Sequence, residues 1–344
     1  MGSVKPYLPG WGHGVERISR EALASLTRVR AEALRAVRHF FEELGVMEVT
    51  SSTLTQMSGS CENPATMFSL PYYGRTAYLA QSAQLQLEVI VAALNEPVYT
   101  LTTSYRAEDY MLDEDSRRRL SEFTLIEVEA PGWSLETLMR VQEELLAAVV
   151  RRTLAYARRE IESLGGKPEE LAALRPPFPR IEYADAVRAL IQEGLKPPAE
   201  ASDGWDFGMR EERVLIGLHG DTPAFLVHHP SGIKYFNMQR RAGAAMSVDL
   251  LTPPIGETSG GGERESDPDL TARQLHESRM LEKIRLQGGS EDEFSWYLQL
   301  LRDPGLPPRA GFGLGFERMI AFLLGTDDIV SCLEFPSTDA HLFP

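Results

Sequence analysis

Cysteine is scarce: the 344 residues contain only Cys61 and Cys332. A disulfide-stapled scaffold and a four-cysteine zinc site are therefore excluded. The scarcity fits a reducing compartment, so a cytoplasmic protein is expected. Apolar runs of the roughly 18–20 residues that a bilayer crossing needs are missing too. Met1 to Ser19 lacks the charged-then-apolar pattern of a signal peptide, and no membrane partner is expected. Positive charge is in the minority, with 35 Lys and Arg against 50 Asp and Glu and a formal net charge of −15. Non-specific binding to phosphate backbones needs a broad basic face, which this balance disfavours, although it leaves room for a local basic pocket. Repeats and low-complexity tracts are also lacking.

The composition is that of an ordinary globular chain, 43% hydrophobic and 25% charged. Residues 1–18 read as an arm rich in Gly and Pro. From Ser19, Leu23, Leu26, Val29, Ala33, Val37, Phe40 and Leu44 recur at helical spacing, and Gly45 terminates the run. A strand is expected over Ala77–Ala80 and a helix over Gln84–Leu94. Val98–Glu108 and Glu122–Ala130 are β-rich and joined by the loop Asp109–Arg117. One long helix is expected from Ser134 to Gly165, and a Pro-rich seam over 166–180. Tyr183–Glu193 reads as helical, with a Gly/Pro-rich connection over 194–209. Ala224–His229, Lys234–Gln239 and Met246–Leu251 read as β-prone. Helices are expected over Asp269–Leu286, Glu291–Leu301 and Phe316–Leu324, with a strand over Ala310–Leu314. Long helices alternate with strands only irregularly. That favours an α+β fold with a mostly antiparallel sheet flanked by helices.

Four constellations carry possible chemistry. Arg106-Ala-Glu108 and Arg117-Arg118-Arg119-Leu120-Ser121-Glu122-Phe123 stand on the two β-rich segments. Arginine forks suit phosphate oxygens and an aromatic face suits a base, though a solvated hairpin with surface ion pairs would look similar. Asp249 and Glu257 flank a turn, as ligands of a hard divalent ion would, or as exposed acids would. Gly260-Gly-Gly-Glu-Arg264 allows close backbone approach to a ligand, or is a flexible loop. Gly311-Phe-Gly-Leu-Gly-Phe-Glu-Arg318 has the wrong glycine spacing for a dinucleotide fingerprint and no βαβ unit around it. It places Arg318 in the first turn of a helix, where a cation needs an anionic partner such as phosphate.

Taken in order, these segments resemble the catalytic core of class II aminoacyl-tRNA synthetases, aspartate/asparagine branch, over about residues 26–344. Val29 to Gly45 resembles the first motif, Arg106 to Glu129 the second and Gly311 to Arg318 the third. Tyr78 to Gln84 and Gly256 to Arg264 are similar to branch-specific segments. The resemblance implies one catalytic domain over 19–344, with a helical insertion at about 134–209, and a homodimer. It also implies ATP-dependent formation of an aminoacyl adenylate. Arg106 would bind the α-phosphate and the substrate carboxylate, and Arg318 would cover adenine and reach the γ-phosphate. These two are the implied catalytic residues. Glu108 would meet adenine, Phe123 would stack on it, and Arg118 and Arg119 would hold phosphates. Asp249 and Glu257 would hold Mg²⁺, with Glu257 also at the ATP. Glu62, Gln84 and Glu127 would surround the substrate amine, and Arg264 would hold its side-chain end.

Several positions depart from the aspartate pattern. Leu87 replaces a lysine, and the Leu87–Glu88 pair resembles asparagine-specific members, where the glutamate accepts a bond from the amide. A second buried negative charge beside Glu88 would be costly. Asn237 stands where the family usually has a substrate-side tyrosine. Ser51 and Ser52 replace a motif proline, and Ser337 an arginine.

The first motif begins by residue 30, which leaves no room before it for the family's anticodon-binding barrel. The loop Asp109–Ser116 carries four acids where acceptor-stem contact is expected. A tRNA partner is therefore expected to be disfavoured. The leading expectation is an asparagine-synthetase-type ligase that activates an aspartate- or asparagine-like acid and passes it to ammonia or a small amine. The alternatives are a truncated asparaginyl-tRNA synthetase and a non-catalytic module that binds an amino acid or nucleotide.

Overall fold

The computed structural model describes residues 19–56, 63–107, 118–198, 204–286 and 289–338. The N-terminal arm, Cys61, Glu62, Glu108 and the acidic loop lie outside these residues. The helices are α1 (Arg20–Leu44), α2 (Gln84–Leu94), α3 (Leu135–Tyr156), α4 (Arg158–Ser163), α5 (Pro168–Ala172) and α6 (Tyr183–Gln192). They continue with α7 (Met209–Leu218), α8 (Pro268–His276), α9 (Arg279–Leu286), α10 (Ser295–Leu300) and α11 (Phe316–Leu324). The strands are β1 (Met47–Glu48), β2 (Leu54–Thr55), β3 (Ser69–Tyr72), β4 (Arg75–Leu79), β5 (Val98–Tyr105), β6 (Glu122–Pro131) and β7 (Arg180–Glu182). They continue with β8 (Ala224–Val227), β9 (Arg240–Arg241), β10 (Ala244–Ala245), β11 (Ser247–Thr252), β12 (Gly256–Arg264) and β13 (Arg309–Gly315).

An eight-stranded sheet runs β1-β5-β6-β13-β12-β11-β8-β7. Only the edge pairs β1–β5 and β7–β8 are parallel; every pair between them is antiparallel. The fold is thus α+β with a mainly antiparallel sheet, as the irregular alternation predicts. The period of 2 gives each inner strand two distinct faces. Ile126, Val128, Ala310, Phe312, Leu314, Val248 and Leu250 turn one way, into the main core with α1, α3 and α11. The residues between them turn the other way and build the site.

The first helix forms for the reasons read in the sequence. Ser19 Oγ accepts the Ala22 N–H at 3.0 Å, and Gly45 closes the C-terminus at φ 74°. Its stripe of Leu26, Val29, Ala33, Val37 and Phe41 has no exposed surface. A second core lies beyond one end of the sheet, where α2, α8, α9 and α10 gather Leu87, Phe236, Leu281, Phe294 and Tyr297. A third joins α6 and α7 to β7 and β8.

Several expected elements change. The helix from Ser134 breaks at Ala157, whose backbone leaves helical geometry (φ −139°, ψ 25°), and α4 starts afresh. The expected helix over Asp269–Leu286 is two helices, α8 and α9. Lys234–Gln239 is not a strand but follows a short 3₁₀ turn at Ser231–Ile233, since its aromatics anchor in the second core instead of alternating across a ladder. The glycine-rich Gly256–Arg264 is a central strand, flanked on both sides. Helix α7 lies where no element was expected.

Candidate active site

The floor of the site is the second face of the sheet. Phe123, Leu125, Glu127 and Glu129 alternate along β6 and all line one cavity of about 1030 Å³. Across the strands, Glu127 pairs with Gly313, Gly313 with Gly260, and Gly260 with Asp249. Two glycines in the middle of this row leave a trough between flanking carboxylates.

At one end stand the cations. The Arg106 guanidinium carbon lies 5.0 Å from the centroid of the Phe123 ring, so the expected α-phosphate cation and adenine platform are side by side. Arg118 is ion-paired with Glu212 of α7 and donates to the Ile255 carbonyl at 3.2 Å. Glu212 also accepts the Glu257 backbone N–H at 2.9 Å. Burial pushes the Glu212 carboxyl up to about 7, against the pull of Arg118. Arg318, at the start of α11, donates to the Glu257 carbonyl at 2.5 Å and lies 3.7 Å from its carboxylate. Arg119 lines the same cavity.

Asp249 and Glu257 come together over Gly260. A methyl group built on Gly260 would stand 3.3 Å from Asp249 Oδ1 and 3.1 Å from Glu257 Oε1. The other Asp249 oxygen, Oδ2, is held by Lys234 Nζ at 2.5 Å and His229 Nε2 at 3.0 Å. Burial raises the Asp249 carboxyl, but Lys234 and His229 outweigh it and hold the group ionised, below the usual carboxylate range. Among the described residues no group of three or more His, Cys, Asp or Glu side chains gathers as a metal cage. Two carboxylate oxygens over an open glycine fit a hard ion that takes its remaining ligands from phosphate and water.

The opposite end is lined by Gln84, Glu127, Glu129 and Arg264. Glu127 accepts the Ser82 hydroxyl and, at 2.7 Å, the Ala83 N–H. Arg264 grips Glu129 through Nε (3.1 and 3.3 Å) and Nη2 (2.6 Å). Glu129 lies over Gly311, where a β-carbon would collide with it. Glu88 and Asn237, both expected at the ligand, have no exposed surface and are not among the residues lining the cavity. They sit behind its wall. Glu88 accepts from Gln84 Nε2 (2.9 Å) and Asn237 Nδ2 (3.1 Å) on one oxygen. Its other oxygen takes the Tyr297 hydroxyl (2.7 Å) and both Nε (3.0 Å) and Nη2 of Arg309.

The structure thus gathers Arg106, Arg118, Arg119, Phe123, Asp249, Glu257 and Arg318 at one end, and Gln84, Glu127 and Arg264 at the other. It adds residues that sequence reasoning missed. Lys234 and His229 lie in segments whose composition reads as β-prone, Tyr297 lies within the expected helix over Glu291–Leu301, and Glu212 lies on a helix that the sequence pattern does not announce. Arg309 and Glu129 carry a readable signal, since each is a charged residue in a β-rich segment.

The chain matches the model of the tRNA synthetases class II (D, K and N) over residues 12–339. It is 36% identical over 326 residues to an asparagine–tRNA ligase of Pyrococcus abyssi, covering 94% of this chain and 70% of that protein. Asparaginyl-tRNA synthetase from Pyrococcus horikoshii, crystallised with asparaginyl-adenylate, superposes with a TM-score of 0.82 at 37% identity, covering 95% of this chain and 71% of that one. The Entamoeba histolytica enzyme with asparaginyl-adenylate gives 0.76 at 28% identity, covering 95% and 69%. These relatives are tRNA-charging enzymes, which overturns the expectation that a tRNA partner is disfavoured. That expectation leaned on the position of the first motif in the chain, on the acids of the loop Asp109–Ser116, which lies outside the described residues, and on net charge, a sum over the whole surface, whereas screening confines each charge to about 8–10 Å and a docked face is decided locally. The chain belongs to the class II tRNA synthetases of the D, K and N group and is an ATP-dependent ligase that forms aminoacyl adenylates.

Proposed function

We propose that the protein activates asparagine with ATP and transfers the asparaginyl group to tRNA. The observation that carries this reading is the match to asparagine–tRNA ligases along 94% of the chain. The cavity supplies the parts. The asparagine carboxylate attacks the α-phosphorus, the bond to the bridging oxygen breaks, and pyrophosphate leaves. Arg106 stabilises the charge growing on the α-phosphoryl oxygens, while Arg118, Arg119 and Arg318 hold the rest of the triphosphate. A terminal ribose hydroxyl of tRNA then attacks the acyl carbon, and AMP departs. No side chain acts as nucleophile; catalysis is positioning and electrostatics.

Asp249 and Glu257 would hold Mg²⁺, which would neutralise phosphate charge. Gln84 and Glu127 offer acceptors to the substrate ammonium, and Arg264 offers a donor to the side-chain carbonyl. Transfer to ammonia or a small amine has no support among the relatives. The test is incubation with labelled asparagine, ATP, Mg²⁺ and total tRNA. Label in acid-precipitable tRNA supports the reading. Asparagine-dependent AMP release without labelled tRNA refutes the acceptor.

A further inference from the structure

The Glu88 carboxylate receives donors from Gln84, Asn237, Tyr297 and, twice, Arg309. An ionised carboxylate offers about four lone-pair sites, so these partners exhaust it. Nothing remains to accept a bond from a ligand amide, and no surface of Glu88 is exposed. Side-chain selection must therefore rest on groups that line the cavity, among them Arg264, Glu129 and Gln84. Arg264 spends Nε and Nη2 on Glu129; its Nη1 has no protein partner among the described residues. A guanidinium N–H donates equally well to the oxygen of an amide or of a carboxylate. What separates the two is the charge around it.

The charged groups facing Glu129 are Arg264 from β12, Arg309 from β13 and Glu88 from α2, with Glu127 two residues along its own strand and bound by Ser82. Arg264 and Arg309 against Glu88 and Glu129 make a neutral set, which suits asparagine. A carboxylate would leave one uncompensated buried negative charge, and a proton on Glu129 removes it.

We propose that Arg309 withdraws Glu88 from the amino-acid pocket and leaves side-chain selection to Arg264 and Glu129, so that the site activates aspartate as well as asparagine, with one proton taken up by Glu129 when the acid binds. The proposal rests on the reading that this cavity takes asparagine. Burial already lifts the Glu129 carboxyl to about 7, so the proton is accessible near neutrality.

The test is pyrophosphate exchange into ATP by the full chain with L-asparagine and with L-aspartate from pH 6 to 8.5. Both amino acids are expected to support exchange. The aspartate-to-asparagine ratio of kcat/KM is expected to rise about tenfold per unit of pH lowered on the alkaline side of Glu129. Glu129→Gln, which is always neutral, shifts the ratio toward aspartate and removes its pH dependence. Glu88→Gln removes one negative charge from the same set, so it shifts the ratio toward aspartate by raising exchange with aspartate, while kcat/KM for asparagine changes by less than about threefold because Glu88 does not touch the ligand.

Exchange with asparagine alone at every pH overturns the proposal and leaves the assigned function standing. A loss confined to asparagine in Glu88→Gln overturns it as well, since Glu88 would then meet the amide. Exchange with neither amino acid removes both readings.

Discussion

Lys234 holds Asp249 by a single oxygen. Its Nζ lies 2.5 Å from Oδ2, and His229 reaches the same atom at 3.0 Å. The second oxygen is thereby left facing Glu257 across Gly260. The cation and the imidazole act as a clamp that aims one carboxylate oxygen into the trough.

That clamp makes Gly260→Ala informative. The new methyl would press on both carboxylate oxygens at 3.1–3.3 Å while meeting no hydrophobic core. Displacements of this kind cost about 10–100-fold in rate when they misplace reacting groups. The expected outcome is a fall in kcat of that order and a higher Mg²⁺ requirement, with a melting temperature close to the parent. Steady-state exchange at varied Mg²⁺ and thermal unfolding check it.

Arg309→Met is expected to destabilise the fold by about 3–5 kcal/mol, because it leaves the ionised, fully buried Glu88 without its guanidinium. Arg309→Met combined with Glu88→Gln recovers most of that loss, since no buried charge is left unpaired. Urea unfolding midpoints of the three chains measure the difference.

Stability should depend on pH through Glu129. Burial raises its carboxyl from 4.5 to about 7 in spite of Arg264. Between those values the folded chain keeps a proton that the unfolded chain has released, so stability falls as pH rises through the window. The loss is on the order of a few kcal/mol. Glu88 acts in the opposite sense. Burial raises its carboxyl, but Arg309 and Arg264 prevail and hold it low, so its contribution is present above 4.5 and is lost as pH falls below that. Melting temperatures are expected to peak near pH 5, and Glu129→Gln is expected to lessen the alkaline slope, of which Glu212, raised by burial to about 7 as well, keeps its share.

Glu212 is expected to matter for ATP. It joins Arg118 to the Glu257 backbone and so positions two parts of the phosphate end. Glu212→Ala should raise KM for ATP about tenfold and lower kcat less, while KM for asparagine stays near the parent value. Kinetics with each substrate varied in turn separates these effects.

Much of this was readable in the sequence where local pattern and chemistry agree. The α1 stripe with Ser19 and Gly45 at its ends and the alternation of β6 fall where the residues point, and Arg106, Arg318, Asp249 and Glu257 line one cavity. The misreadings share a cause, which is that tertiary contacts overrode local signals. Gly256–Arg264 looks like a loop by composition, yet its glycines are what a central strand needs when carboxylates must lie against it. Helix α7 follows a Gly/Pro-rich stretch and is stabilised by packing against α6, β11 and β12. Glu88 carries the sequence mark of a ligand contact, but Arg309, which removes it from the ligand, lies 221 residues away in the chain. No local pattern reveals such a pairing.

The central claim is that this cavity joins asparagine to AMP. Asparagine-dependent exchange of labelled pyrophosphate into ATP tests it most directly. We predict robust exchange in the parent chain, lowered by about 100-fold or more in Arg106→Ala and Arg318→Ala, both correctly folded. A folded parent chain that exchanges no pyrophosphate with asparagine, or exchanges it equally well without Arg106, would contradict the account.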